Sequence, residues 1–269
     1  MHRRLVIRPG AVGDFILSLP AMEHLRADYL EVWAASRSLP LARFVDRARS
    51  IASTGLDMLE FSPYLPVLGE LRDFNSIVSW YGSNRPEFRA AVGGLPFQFF
   101  EALPPAGCRM HAADFFAAQV GSSSRAVPRI DCPRQDGGFA VIHPFSGSAK
   151  KCWPLQRYQE LAKRIEARMP VRWCAGPEEP LSGAVRIDDL YELACWLATA
   201  RVYIGNDSGI THLAAAVGTR VVALFGPTDP HVWAPRGVNS GVIAKPSLED
   251  IQVDEVATAV LRYDSSFTP

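Results

Sequence analysis

The sequence predicts an α/β protein with parallel sheets, on three observations. Short apolar runs alternate with segments of helical spacing in both halves of the chain. Between the halves, residues 121–138 read GSSSRAVPRIDCPRQDGG, a stretch rich in Gly, Ser, Pro and charge that suits an interdomain linker. The polar motifs follow directly on strand candidates, the edge at which parallel α/β sheets present ligands.

Element by element, residues 5–7 form a buried-strand candidate. Residues 14–27 carry Phe15, Leu19, Met22 and Leu25 at helical spacing. Pro20 lies inside that pattern and removes a donor, which predicts a kink or a restart there. Strands are expected at 30–34, near 50–53 or 58–61, and at 77–80, with a helix over 111–120. Beyond the linker, strands are expected at 139–143, 171–175, 201–205 and 221–225. Helix faces are marked by Tyr158, Leu161, Ile165 and Met169, and by Leu190, Leu193, Ala194 and Leu197. A short helix over 210–217 closes at Gly218, and a last helix covers 253–262. The division is a first domain over 1–136, linker included, and a second over 137–269.

The 269 residues suffice for two domains of ordinary size. Hydrophobic residues make up 48% and charged residues 21%, a globular balance. Twenty-eight basic residues offset twenty-eight acidic ones, so the chain lacks the basic excess of a nucleic-acid binder. No run approaches the roughly 20 apolar residues of a membrane span. The apolar start 5–7 is interrupted at once by Arg8-Pro9-Gly10, too short for the apolar core of about 7–15 residues in a signal peptide. The five cysteines are odd in number, widely spread and without a C-x-x-C pair. They read as reduced thiols of a cytoplasmic protein.

Four motifs could carry chemistry. The first, Arg8-Pro9-Gly10-Ala11-Val12-Gly13-Asp14, joins a strand to a helix, and Gly10 and Gly13 allow a sharp turn and close approach. Asp14 is either a cap of that helix or a catalytic carboxylate. Dinucleotide binding is disfavoured, because G-x-G-x-x-G is absent and the second strand lacks a ribose-holding acid after it. The second, His143 to Pro154, runs a strand into Ser146, Gly147 and Ser148 and then Lys150 and Lys151. Hydroxyls, amides and ammonium groups at a strand end suit a phosphate; the alternative is an exposed loop that happens to be basic. The third, Gly205-Asn206-Asp207-Ser208-Gly209-Ile210-Thr211-His212, leads a strand into a helix N-terminus suited to a diphosphate. There Asp207 or Ser208 is the natural cap, and His212 is either a buried, bonded histidine or within reach of the site. The fourth, Phe225-Gly226-Pro227-Thr228-Asp229-Pro230, is a rigid turn. No His, Asp or Glu set shows metal-ligand spacing, so no metal is expected.

Together GAVGD, HPFSGSAKKCWP, AGPEE, GNDSGITHLAAAVG and LFGPTDP, in that order, resemble glycosyltransferase family 9, the heptosyltransferases. The resemblance is strong over 139–235 and rests on fold pattern alone over 28–136. It implies a GT-B fold of two Rossmann-like domains facing across a cleft, with acceptor on the first and nucleotide sugar on the second. The last helix is then a candidate to pack back on the first domain. It also implies inverting, metal-independent transfer, with ADP-heptose and a lipopolysaccharide core as the best-known donor and acceptor. The donor is a substrate and no cofactor is needed. A glycolipid acceptor would bring peripheral membrane contact; no nucleic acid is involved. Asp14 occupies the position of the family's general base, in a loop with Gly10 and Gly13. Ser146 and Lys151 match its phosphate-binding hydroxyl and the Lys of K-x-W-P. Glu178 falls where an acid contacts the donor ribose, with Glu179 a close rival. Asp207, Ser208, Gly209 and His212 match D-[ST]-G-x-x-H of the donor site. Phe145 departs from the Gly common at its place. Two rival functions are a sugar-nucleotide epimerase and a non-catalytic nucleotide-sugar-binding module, the latter motivated by the short N-terminal half.

Overall fold

The computed structural model describes residues 1–62, 66–133, 135 and 137–262. The chain forms two compact units: Met1–Cys108 with Ala112–Ala126, and Arg109–His111 with Val127–Pro269.

The N-terminal unit contains β1 (Arg3–Arg8), α1 (Val12–His24), β2 (Tyr29–Ala34), β3 (Arg47–Ser50), α2 (Pro66–Leu71), β4 (Ser76–Ser79), α3 (Pro86–Ala91), β5 (Phe97–Phe99) and α4 (Ala112–Gln119). Its sheet runs β3-β2-β1-β4-β5, all parallel. Side chains alternate across a strand, so Leu5 and Ile7 of β1 enter the cluster of Trp33, Leu56, Leu71, Phe74, Ile77 and Phe88. Arg8 shares the other face with Val6, and its guanidinium lies 4.5 Å from the ring centre of Phe116 on α4. α1 packs on α4.

The C-terminal unit contains β6 (Ala140–His143), α5 (Leu155–Glu166), β7 (Val171–Trp173), α6 (Leu190–Ala198), β8 (Val202–Asn206), α7 (Gly209–Ala216), β9 (Arg220–Phe225), α8 (Pro230–Trp233), β10 (Ser240–Ala244) and α9 (Val253–Leu261). Its sheet runs β10-β9-β8-β6-β7, again all parallel. On α5, Tyr158, Leu161, Ala162 and Ile165 are buried, the spacing of one apolar stripe. They pack with Ile142, Ile204, Leu224, Val256 and Val260. Each such aliphatic side chain contributes about 1.5–3 kcal/mol when fully buried. α6 starts at Asp189, whose carboxylate accepts from the amides of Tyr191 and Glu192, and α7 ends before Gly218, at φ 80°.

Several expectations need correction. α1 is one unbroken helix through Pro20. Proline removes a single bond, and burial of Phe15, Ile16, Leu17, Leu19, Ala21 and Met22 outweighs that loss. The third strand is Arg47–Ser50. The stretches 50–53 and 58–61, where the sequence predicts it, fall largely in the 3-10 turns Ile51–Ser53 and Leu56–Glu60, the second of which buries Leu56 and Leu59. β5 and β10, unanticipated, add an edge strand to each sheet. The last helix buries Val253, Val256, Ala257 and Val260 in the core of its own unit, against α5. Among the described residues no helix is long and apolar enough to cross a membrane.

Candidate functional site

Each sheet has one place where successive connections leave in opposite directions, and such switch points open a crevice outside the strand ends. In the N-terminal unit it lies between β1 and β4; in the C-terminal unit it lies between β6 and β8. The loops there hold the motifs singled out in the sequence.

At the C-terminal switch point two loops are tied together by Asn206, the last residue of β8. Its Nδ2 donates to the Pro144 oxygen at 2.8 Å. Its Oδ1 accepts from the Trp153 amide at 2.9 Å and the Tyr158 hydroxyl at 3.0 Å. Asn206 is fully buried, and these bonds satisfy a group that would be costly to bury unpaired. Beyond it, the Ser146 hydroxyl donates to the Asp207 main-chain oxygen at 2.6 Å. Lys151 Nζ donates to Asp207 Oδ2 at 2.7 Å. Asp207 is buried, while the Lys151 side chain is 37% exposed, so the cation keeps a face to solvent. Ser208, not Asp207, is the cap of α7, accepting from the Thr211 amide at 3.3 Å. The next amides, Gly209 and Ile210, belong to the first turn, whose N–H groups have no intrahelical acceptor. An ammonium, two serine hydroxyls and a helix N-terminus thus converge, which suits a diphosphate. The carboxylate of Asp207 accepts hydrogen bonds only and suits a sugar hydroxyl.

His212 lies one turn into α7 and is buried. Burial lowers its pKa to about 4, the Asp207 charge pulls it back up, and His111 and Lys151 lower it again. It is neutral at physiological pH, and its Nδ1 has no hydrogen-bond partner among the described residues. Of the two glutamates, Glu178 is exposed. Glu179 is drawn to the strand ends: its Oε2 accepts from the Gly176 amide at 2.6 Å and lies 3.1 Å from His143 Nε2, at the end of β6.

At the N-terminal switch point the cap reading of Asp14 fails: the cap position is Ala11, and Asp14 sits within the first turn. Its carboxylate lies over Gly10, where an added Cβ would stand 3.5 Å from Oδ2. Gly10 has φ 117°, a region that favours glycine; Gly13 is inside α1. Beneath Asp14, the buried guanidinium of Arg8 donates to Ser18 Oγ at 2.6 Å, to the Ala102 oxygen at 3.2 Å and to the Asp14 main-chain oxygen at 3.2 Å. Burial lowers the Arg8 pKa to about 10, and the Asp14 charge raises it again. Arg8 therefore remains a cation. Arg8, Asp14, Trp80, Asn84, Arg85 and Glu101 line a cavity of about 440 Å³. Its aromatic and charged walls suit a polar ring with an apolar face.

Sequence reasoning missed Asn206 and Arg8 as organisers. Asn206 carried a signal, as a polar residue closing an otherwise apolar strand; Arg8 carried none, because an arginine at a strand end ordinarily turns to water. Among the described residues no group of three or more His, Cys, Asp or Glu could hold a metal ion.

The sequence model described as "Glycosyltransferase family 9 (heptosyltransferase)" matches residues 111–258, more than half of the chain. A lipopolysaccharide heptosyltransferase 3 of Escherichia coli is 28% identical over 187 residues, 61% of this chain and 51% of that protein. The match thus spans about half of that relative's length. Two solved structures are similar over nearly the whole chain. The E. coli ADP-heptose lps heptosyltransferase II has a TM-score of 0.77 at 17% identity, covering 97% of this chain and 98% of its own. The E. coli heptosyltransferase WaaC with ADP has a TM-score of 0.72 at 16% identity, covering 97% and 99%. At such identities the likeness shows the fold, which is the two-domain α/β class expected of GT-B.

Proposed function

The chain belongs to glycosyltransferase family 9, and from that premise we propose that it moves a sugar from a nucleoside-diphosphate donor to a hydroxyl of a glycan acceptor, with inversion and without a metal. The observation that carries this is the cradle at the β6/β8 switch point, where Lys151, Ser146, Ser208 and the α7 N-terminus converge. The donor is a heptose carried on ADP and the acceptor a lipopolysaccharide core. This assignment is supported by the relatives' names, one with ADP-heptose and one with ADP bound. Such an acceptor is anchored in lipid, so the protein works at the cytoplasmic face of a membrane. Family membership favours transfer over the epimerase reading and over a non-catalytic binding module.

Inversion is one in-line displacement at the anomeric carbon. Asp14, above buried Arg8, accepts the proton of the attacking hydroxyl. Negative charge grows on the departing diphosphate, and Lys151, Ser146 and the amides of Gly209 and Ile210 stabilise it. Asp207 orients the sugar and Glu179 the ribose.

A thermal-shift series with ADP, UDP, GDP and their sugars tests the donor. ADP and ADP-heptose should raise the melting temperature most; no response to any nucleoside diphosphate would refute the donor site. Full turnover after chelation tests the metal-free step, and activity restored only by a divalent ion contradicts it.

A further inference from the structure

Cys132 and Cys195, 63 residues apart in sequence, meet within the C-terminal unit. The Cys195 thiol donates to Cys132 Sγ at 3.5 Å. Cys132 lies in the segment that enters the unit, and Cys195 lies on α6. The approach is built in on both sides. The Ile130 amide donates to the Ala216 oxygen at 3.0 Å, and the Gly137 amide to the Thr199 oxygen at 2.8 Å. Between them, the Tyr191 hydroxyl donates to the Asp131 oxygen at 3.1 Å. Tyr191 and Cys195 are four residues apart on one helix and share a face. The phenol therefore fixes Asp131, and the next turn of α6 presents its thiol to the next residue of the segment. Both thiols are half-buried, within reach of a small oxidant. Cys174 is different: it is buried, and burial pushes its thiol up to about 12.

We propose that Cys132 and Cys195 are an oxidative modification site, at which a peroxide-class oxidant forms an intramolecular disulfide. One thiolate attacks the O–O bond, gains a sulfenic oxygen and releases the first water. The second thiolate attacks that sulfur, and the sulfenic oxygen leaves as the second water. Both thiol protons end in the waters and two electrons pass to the peroxide, so two thiols and one hydrogen peroxide give one disulfide and two waters. The sulfurs close by about 1.5 Å to reach bonding distance. The bond staples the entering segment to α6 and restrains the unfolded chain.

The test treats the reduced full-length protein with hydrogen peroxide, alkylates the remaining thiols, and maps peptides without reduction. The expected result is one peptide pair joined through Cys132 and Cys195, lighter by two hydrogen atoms and separated by dithiothreitol. The melting temperature should rise on oxidation of the wild type and not of Cys132→Ser or Cys195→Ser. Sulfinic or sulfonic acid at either residue without a link would overturn the proposal. So would a link between chains, a link through Cys108, Cys152 or Cys174, or two intact thiols after other cysteines have oxidised.

Discussion

At the N-terminal switch point Asp14 stands above a buried cation, beside a cavity walled by Trp80, Tyr81, Arg85 and Glu101. At the C-terminal switch point Lys151 and Ser146 both bond to Asp207, and Asn206 ties the same two loops together through Pro144 and Trp153. The first arrangement concentrates basicity at one atom. The second brings several hydrogen-bond donors together at one strand end. On the proposed mechanism, one sheet architecture would supply two chemistries, proton acceptance and charge stabilisation, through its loops alone.

The sharpest way to separate them is Asp14→Asn. The substitution keeps the shape and the first-turn position but removes the base. Turnover should fall by about 10²–10⁴-fold while the protein stays folded. Near-normal turnover with a verified acceptor would remove Asp14 from the mechanism.

Next in size is a pH effect confined to the C-terminal side. His212 is held neutral in the fold, with its pKa lowered to about 4 from 6.5, so the unfolded chain takes up a proton first on acidification. Stability is therefore full above pH 6.5, falls as the pH drops toward 4, and levels below that. The loss is about 3 kcal/mol. Urea midpoints between pH 4 and 7 should show this slope in the wild type and a shallower one in His212→Gln. Equal slopes would show that another group titrates.

A smaller effect distinguishes the two neighbouring glutamates. Glu179→Gln should weaken nucleoside diphosphate binding about tenfold, the worth of one hydrogen bond to a charged group. Glu178→Gln should leave it unchanged, because that side chain is exposed. Titration calorimetry on both variants checks this, and the reverse order would restore Glu178 as the ribose contact.

The contrast between the units also explains what could be read in advance. β6, β8 and β9 are buried almost throughout and carry near-continuous apolar runs, as do residues 5–7 of β1 and, after Glu31, residues 32–34 of β2. β3 (RARS) and β10 (SGVIA) lie at sheet edges, where polar and small residues are expected, so hydropathy hides them. The loops after β6 and β8, proposed to hold the donor phosphates, stood out because hydroxyls and lysines cluster at a strand end. Arg8 did not, since a charge closing a strand reads as a residue turned to water. Its burial depends on Ser18, one helix away, and on Ala102 and Phe116, which lie far off in sequence. The turn at Gly176 sends the Glu179 carboxylate back to its own loop and leaves Glu178 exposed, a difference that two neighbouring glutamates do not show in sequence.

The division of labour between the two switch points is tested most directly by the affinity for ADP, measured by titration calorimetry on the wild type, Asp14→Asn and Lys151→Ala. Asp14→Asn should bind as the wild type does. Lys151→Ala should bind about 10–100-fold more weakly, because it loses a charge-assisted contact of about 1.5–3 kcal/mol. Unchanged affinity in Lys151→Ala, or lost affinity in a folded Asp14→Asn, would contradict the assignment of donor phosphates to the C-terminal unit.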